Sequence, residues 1–275
     1  MESPKPGCLK ILPVLCLLIS LATTASEYSE NSGTDDGVRI VSGPHYPPFS
    51  GDHLPQNGLG PFLVSRIFEA SGKQVISGFR PWKRAYREAL QGKYDAVLPY
   101  TETANRRQDF LFSEPVFKVN SSIFVRSDSS IRAQSLSELT GLKYCNPLGF
   151  ADGRPIERME SAGHLTRISP STLENCFKML AAGRVDFIKT NPHVAQYMSG
   201  NHGLSPKAFR ALTFIVDTES LHVMVPRNHP AGEALIETFN HSYTRMKEAG
   251  RIKELAKAYL ESVKAAAEPL LTDLE

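Results

Sequence analysis

The stretch Leu90 to Phe117, LQGKYDAVLPYTETANRRQDFLFSEPVF, restricts the fold more than any other part of the chain. Behind Pro81, the residues Trp82, Ala85, Tyr86, Ala89 and Leu90 recur at helical spacing, and that helix ends at Gly92. Glycine there supplies the positive φ that closes a helix C-terminus. A short apolar strand, Tyr94 to Leu98, follows at once. Then come a Thr-rich turn, the pair Arg106-Arg107 and a Phe112-Ser113-Glu114-Pro115 corner. Helix, tight turn and buried strand in this order belong to an open α/β sheet. They set Arg106 just past the C-terminal end of a strand, where such sheets bind small ligands.

The rest of the chain repeats the pattern. Val38 to Val41 reads as a strand and runs into the rigid turn Gly43 to Phe49. Phe62, Leu63, Ile67 and Phe68 recur at helical spacing, with Gly72 to end that helix. Further strand-like runs are Ser122 to Val125, Leu142 to Cys145, Leu165 to Ile168, Val185 to Lys189, Leu212 to Val216 and Leu221 to Val225. Helical patterns lie between several of them, which argues for α/β with largely parallel strands. Ser171 and Glu174 have capping-box spacing behind Pro170. From Pro230 onward the pattern is helical, broken at Gly250. The segment Ala89 to Val97 is echoed by Ala181 to Ile188: helix, glycine, basic residue, apolar residue, aspartate, apolar strand. Two such units suggest two lobes built alike.

Residues 1–25 have the form of a secretory signal peptide: Lys5 and Lys10, an apolar run from Ile11 to Ala22, then small residues for cleavage. That run is shorter than the roughly 20 apolar residues a membrane span needs. Residues 26–37 are polar and read as a disordered leader. Removing Lys5, Lys10 and Glu2 lowers the formal charge from +2 to about +1, which gives no footprint for nucleic acid. Cys145 and Cys176 remain after cleavage. An exported protein meets an oxidising compartment, and adjacent elements of one lobe can bring the two within bonding range, so a disulfide is expected over two inert thiols. The eight histidines show no metal-ligand spacing, and no cofactor motif or nucleophile elbow is present.

Taken together, Gly92-Lys93-Tyr94-Asp95-Ala96, Thr101-x-Thr103-x-x-Arg106 and Phe112-Ser113-Glu114-Pro115 resemble the bacterial extracellular solute-binding proteins of family 3, over roughly residues 38–262. Tyr46-Pro47-Pro48-Phe49, Leu136 to Gly149 and Gly183 to Asp186 match more weakly. The resemblance implies a two-lobed periplasmic-binding-protein fold of type II: two mixed sheets flanked by helices and joined by two crossing strands. Lobe 1 would hold 38–121 and 221–275, and lobe 2 would hold 122–220. It implies a monomer in the periplasm that delivers a small polar ligand to an ABC permease. Arg106 would grip a ligand carboxylate, helped by Thr101 and by backbone groups from Leu98 through Pro99 and Tyr100. Tyr46 and Trp82 would sandwich the ligand. Gly149, Phe150 and Ala151 would open a helix toward it, with Asp152 or Gly153 as the competing cap.

Three positions depart from the family pattern. Asn191 stands where the amino-acid binders carry an acid for the α-ammonium. Gly43 replaces a polar residue, and Pro61-Phe62 follows Gly60 in place of an acidic signature. The expected ligand is a small polar molecule, an amino acid or a related carboxylate. Because an ammonium buried without a counter-charge is costly, these departures speak against an ordinary α-amino acid, and a carboxylate-bearing or neutral polar ligand fits as well. Glu102 and Glu114 are the acids expected beside the site, with Glu114 capping its corner. A dehydratase-like enzyme on the same fold, and a sensor acting through a membrane receptor, are the competing readings.

Overall fold

Burial of strand residues on both faces marks the inner part of a parallel sheet. Val38–Ser42 (β1) has this character, with only Arg39 reaching solvent. The computed structural model describes residues 1–2, 37–200, 204–205 and 207–266. The expected signal peptide and leader, apart from Met1, Glu2 and Gly37, lie outside the described residues, as does the chain beyond 266. After β1 come α1 (Leu59–Glu69), β2 (Val75–Phe79), α2 (Trp82–Leu90), β3 (Ala96–Thr101), α3 (Ala104–Asp109), β4 (Phe110–Phe112) and β5 (Phe117–Arg126). The second run holds β6 (Lys143–Cys145), α4 (Arg154–Ser161), β7 (Thr166–Ile168), α5 (Leu173–Ala181), β8 (Phe187–Thr190), α6 (Pro192–Gly200) and β9 (Phe209–Pro226). Helices α7 (Gly232–Glu248) and α8 (Arg251–Ala266) complete it.

Among the described residues, hydrogen bonding orders the strands β2-β1-β3-β9-β5-β8-β6-β7, with β4 also beside β9. The outer strands pair in parallel at both ends, while β9 and β5 run antiparallel to their neighbours. The two mixed sheets read from sequence are therefore two halves of one nine-stranded sheet, made continuous by β5 and β9. That central pair shifts register between Ser121 and Phe124; an irregularity of this kind bends and twists a ribbon.

Each half has its own core. Ile40, Ile67, Phe68, Leu98, Val223 and Phe239 pack together in the first. Ile123, Leu139, Tyr144, Ile156, Phe187 and Leu212 pack in the second. Full burial of such a side chain adds about 1.5–3 kcal/mol. The expected disulfide is present: Cys145 at the end of β6 is bonded to Cys176 on α5, with Cα atoms 5.5 Å apart.

The internal echo has a structural cause. Asp95 accepts the backbone N–H of Arg39 at 2.7 Å through its carboxylate and donates its own N–H to Arg39 O at 2.8 Å. Asp186 does the same with Lys143, at 2.7 and 2.8 Å. Both aspartates follow a glycine with positive φ, Gly92 and Gly183. Each satisfies the backbone of the neighbouring strand before its own strand begins.

That role corrects one boundary. The strand expected over Tyr94 to Leu98 runs from Ala96 to Thr101, because Tyr94 and Asp95 belong to the turn. Leu212 to Val216 and Leu221 to Val225 are not separate strands but parts of the 18-residue β9, whose polar middle pairs with Lys118 to Ser121. The sequence reading passes over β2, an edge strand whose half-exposed residues carry little apolar signal. Helix α5 is capped by Thr172, which accepts from Asn175 N at 3.2 Å, and not by Ser171. The expected predominance of parallel strands holds only outside the central ribbon.

Candidate functional site

The ends of β3 and β8 face the cleft crossed by β5 and β9. A cavity of about 60 Å³ lies there, and Tyr46, Trp82, Pro99, Tyr100, Thr101, Arg106, Gly149, Phe150, Ala151 and Asn191 all line it. The fold thus brings every sequence-selected ligand residue to one place.

Arg106 sits on α3, whose N-cap Thr103 accepts the Arg106 N–H at 3.2 Å. Its guanidinium donates to Thr101 O at 2.7 Å and Thr101 Oγ1 at 2.8 Å, and across the cleft to Gly149 O at 2.9 Å. It also lies over the Tyr100 ring at 4.8 Å, a favourable placement for a cation. Burial lowers the pKa of this group, and nearby Tyr100, Tyr86 and Glu219 oppose that effect. An arginine starts so far above neutrality that it keeps its charge. Arg107 points elsewhere and pairs with Glu102 at 2.5 Å.

The aromatic wall is made by Trp82, Tyr46, Tyr100 and Phe150. Trp82 donates its indole N–H to Pro44 O at 3.1 Å and receives Tyr100 on its edge at 5.3 Å. Phe150 reaches over from the second half to meet Trp82 at 5.6 Å and Tyr46 at 5.8 Å, both edge-on. Edge-to-face contact is a preferred aromatic geometry. The indole also accounts for Gly43: a Cβ on that residue would lie 1.9 Å from the ring. From the other side, a Cβ on Gly149 would lie 2.7 Å from Lys83 N and 2.9 Å from Trp82 Cβ. Trp82 is thus flanked by a glycine from each half.

Asn191 is committed to structure. Its Oδ1 accepts Val194 N at 3.0 Å, in the first turn of α6, and its Nδ2 donates to Tyr46 Oη at 3.1 Å. Burial raises the Tyr46 phenol well above its ordinary pKa, assisted by the charge of Glu219 and opposed by the bond from Asn191. Tyr46 therefore stays protonated and retains an O–H to donate.

The sequence reading missed Ser121, Asn146, Leu173, Lys189, Thr190, Glu219 and Leu221, which also line the cavity. Glu219 corrects the expectation that Glu102 and Glu114 are the acids beside the site. It bonds Lys189 Nζ at 2.9 Å and Ser121 Oγ at 2.6 Å, and Lys189 also donates to Asp152 O at 2.7 Å. Strand period offered a signal: Glu219 lies two residues before Leu221, on one face of the same strand. The Ser-Glu-Pro corner is not capped by the Glu114 side chain. Ser113 accepts Val223 N at 3.0 Å, and Asn240 Oδ1 accepts Glu114 N at 2.8 Å. Gly153 is the N-cap of α4, without a side-chain cap. Asp152 instead bonds Asn146 at 2.8 Å and pairs with Arg167. Among the described residues no group of three or more His, Cys, Asp or Glu is arranged to hold a metal, and no helix is long and apolar enough to cross a membrane.

Solved structures share this fold. A mutant of ArgBP from T. maritima aligns at 18% identity and TM-score 0.69, over 82% of this chain and 96% of that one. The amino acid ABC transporter substrate-binding protein AbpA from Streptococcus pneumoniae, bound to L-arginine, aligns at 17% identity and TM-score 0.68, over 82% and 95%. A histidine kinase sensor domain with similarity to periplasmic binding proteins aligns at 20% identity and TM-score 0.69, over 82% and 97%. No curated protein matches the chain. A family model matches residues 38–262, and with that match the chain belongs to the bacterial extracellular solute-binding proteins, family 3.

Proposed function

We propose that this solute-binding protein closes on a small carboxylate-bearing ligand between a lobe of 38–121 and 221–275 and a lobe of 122–220, and hands it to an ABC-type permease. The observation that carries this reading is Arg106: a charged group at a strand end, oriented by Thr101 and reached by Gly149 from the opposite side of the cleft. A guanidinium fork matches a carboxylate through two parallel hydrogen bonds. Gly149 O is the bond a ligand would exchange for its own oxygen. Tyr46 and Trp82 supply the apolar wall for the ligand body, and Pro99 and Tyr100 fix the backbone beside it. Ligand capture then drives closure about β5 and β9, as in other hinged binders. The structural neighbours bound to amino acids support a small solute as cargo. Export to the periplasm and action as a monomer complete the reading.

The test is melting temperature of the mature protein against amino acids, small carboxylates, polyamines and short peptides. A ligand at about 100 times its Kd adds about 2.7 kcal/mol, roughly 5–10 °C at this chain size. Arg106→Ala should then weaken the hit by about 2–5 kcal/mol. Unchanged affinity in that variant would sink the anchor assignment.

A further inference from the structure

The charged groups that line the cavity are Arg106, Lys189 and Glu219. Glu219 is its acid, and both carboxylate oxygens already have partners: Oε1 holds Lys189 Nζ at 2.9 Å and Oε2 holds Ser121 Oγ at 2.6 Å. The pair is well shielded, with the Lys189 and Glu219 side chains 7% and 13% exposed. Asn191, the polar residue at the end of β8, turns its Oδ1 to Val194 N. Thr101 O, Thr101 Oγ1 and Gly149 O all accept from Arg106. The donors are less fully engaged: Tyr46 keeps its O–H, and Lys189 has two of its three N–H bonds assigned, to Glu219 and Asp152 O. The charged groups lining the cavity therefore sum to one net positive charge.

An ammonium entering this site would be a third cation against one carboxylate. An unpaired charge in a low-dielectric cleft is strongly disfavoured, and like charges at close range repel. We infer that the Lys189–Glu219 pair determines specificity by occupying the counter-charge an α-ammonium would need, so the preferred ligand is a small monocarboxylate without an α-amino group. This rests on the binding reading above and narrows it.

Calorimetry with matched probes tests it: 3-phenylpropanoate against phenylalanine, 4-methylpentanoate against leucine, and butanoate against 2-aminobutanoate. The wild type should bind at least one des-amino acid roughly tenfold or more tighter than its amino counterpart, one decade being about 1.4 kcal/mol. Lys189→Met frees Glu219 and should shrink or reverse that preference. A wild type that prefers the amino member of the pairs overturns the inference while leaving the binding function intact. So does a thermal-shift hit on an amino acid or polyamine with no heat from any des-amino probe. Silence of every ligand in both experiments overturns the binding reading itself, and the inference with it. Where Lys189→Met fails to fold, the wild-type ratio alone decides.

Discussion

The αβ turns at Gly92 and Gly183 use one device twice and lead to opposite chemistry. In each, an aspartate joins its turn to the start of the adjacent strand, Asp95 to Arg39 and Asp186 to Lys143. In each, the strand that follows ends at the cleft. Beyond β3 the chain presents Arg106, a cation whose fork can take a ligand oxygen. Beyond β8 it presents Asn191, whose oxygen is bound to the helix it precedes. The lesson is that similar local folding places a residue at the site, while the partners of that residue decide whether it remains available. The halves are also secured differently. The second has a covalent bond from β6 to α5. The first has α7 and α8, and an added polar cluster in which Asp95 meets Arg39 Nη2 at 2.6 Å and His229 Nε2 at 3.2 Å.

The comparison can be broken most strongly at the disulfide. Cys176→Ser should cost about 3–4 kcal/mol in the chain-entropy model, seen as a melting point lower by roughly 6–16 °C. A change under about 1 kcal/mol would show that the second half holds without it. In the first half, Gly43→Ala drives a Cβ into the Trp82 ring. Overpacking of this sort costs about 1–3 kcal/mol. Since the chain has a single tryptophan, its fluorescence should shift with the displaced indole; an unmoved spectrum at wild-type stability would contradict the packing described. Asp95→Ala and Asp186→Ala each remove the acceptor of a solvent-accessible strand N–H, a net loss of about 0.5–1.5 kcal/mol. Urea midpoints should place Asp95 as the costlier loss because the Arg39 and His229 side chains also bond it; equal costs would erase the distinction between the two turns.

The smallest effect is a dependence on pH. Burial works against the Asp95 charge, but hydrogen bonds from the Arg39 side chain and backbone, with His229, outweigh it and hold the carboxyl below its usual range. The group therefore stabilises the fold at all pH values above the unfolded value of about 3.9, and that contribution is lost as pH falls below it. The wild type should lose urea resistance faster than Asp95→Ala on going from pH 5 to about pH 3. Parallel loss in both proteins would remove Asp95 from the acid transition.

Much of the scaffold was legible. Helical periodicity located α1, α2, α7 and α8, and glycine with positive φ located the turns. Arg106 and Trp82 were readable because each lies within a few residues of a strong local signal. The β2 edge strand and the continuity of β9 were not, since a half-exposed strand and a polar strand centre carry no apolar pattern.

The sequence by itself determined the order of elements, the glycine turns and the cation at the end of β3, because propensity, capping and spacing act over a few residues; the cysteine pair was legible only because two cysteines remain after residues 1–25. Tertiary structure alone decided which oxygens remain free. Glu219 meets Lys189 from 30 positions away, Trp82 fills the space left by Gly43, and Asn191 bonds Tyr46 across 145 positions. Hydrogen-bond and charge partners of this kind are set by distance in space, and local spacing carries no record of them.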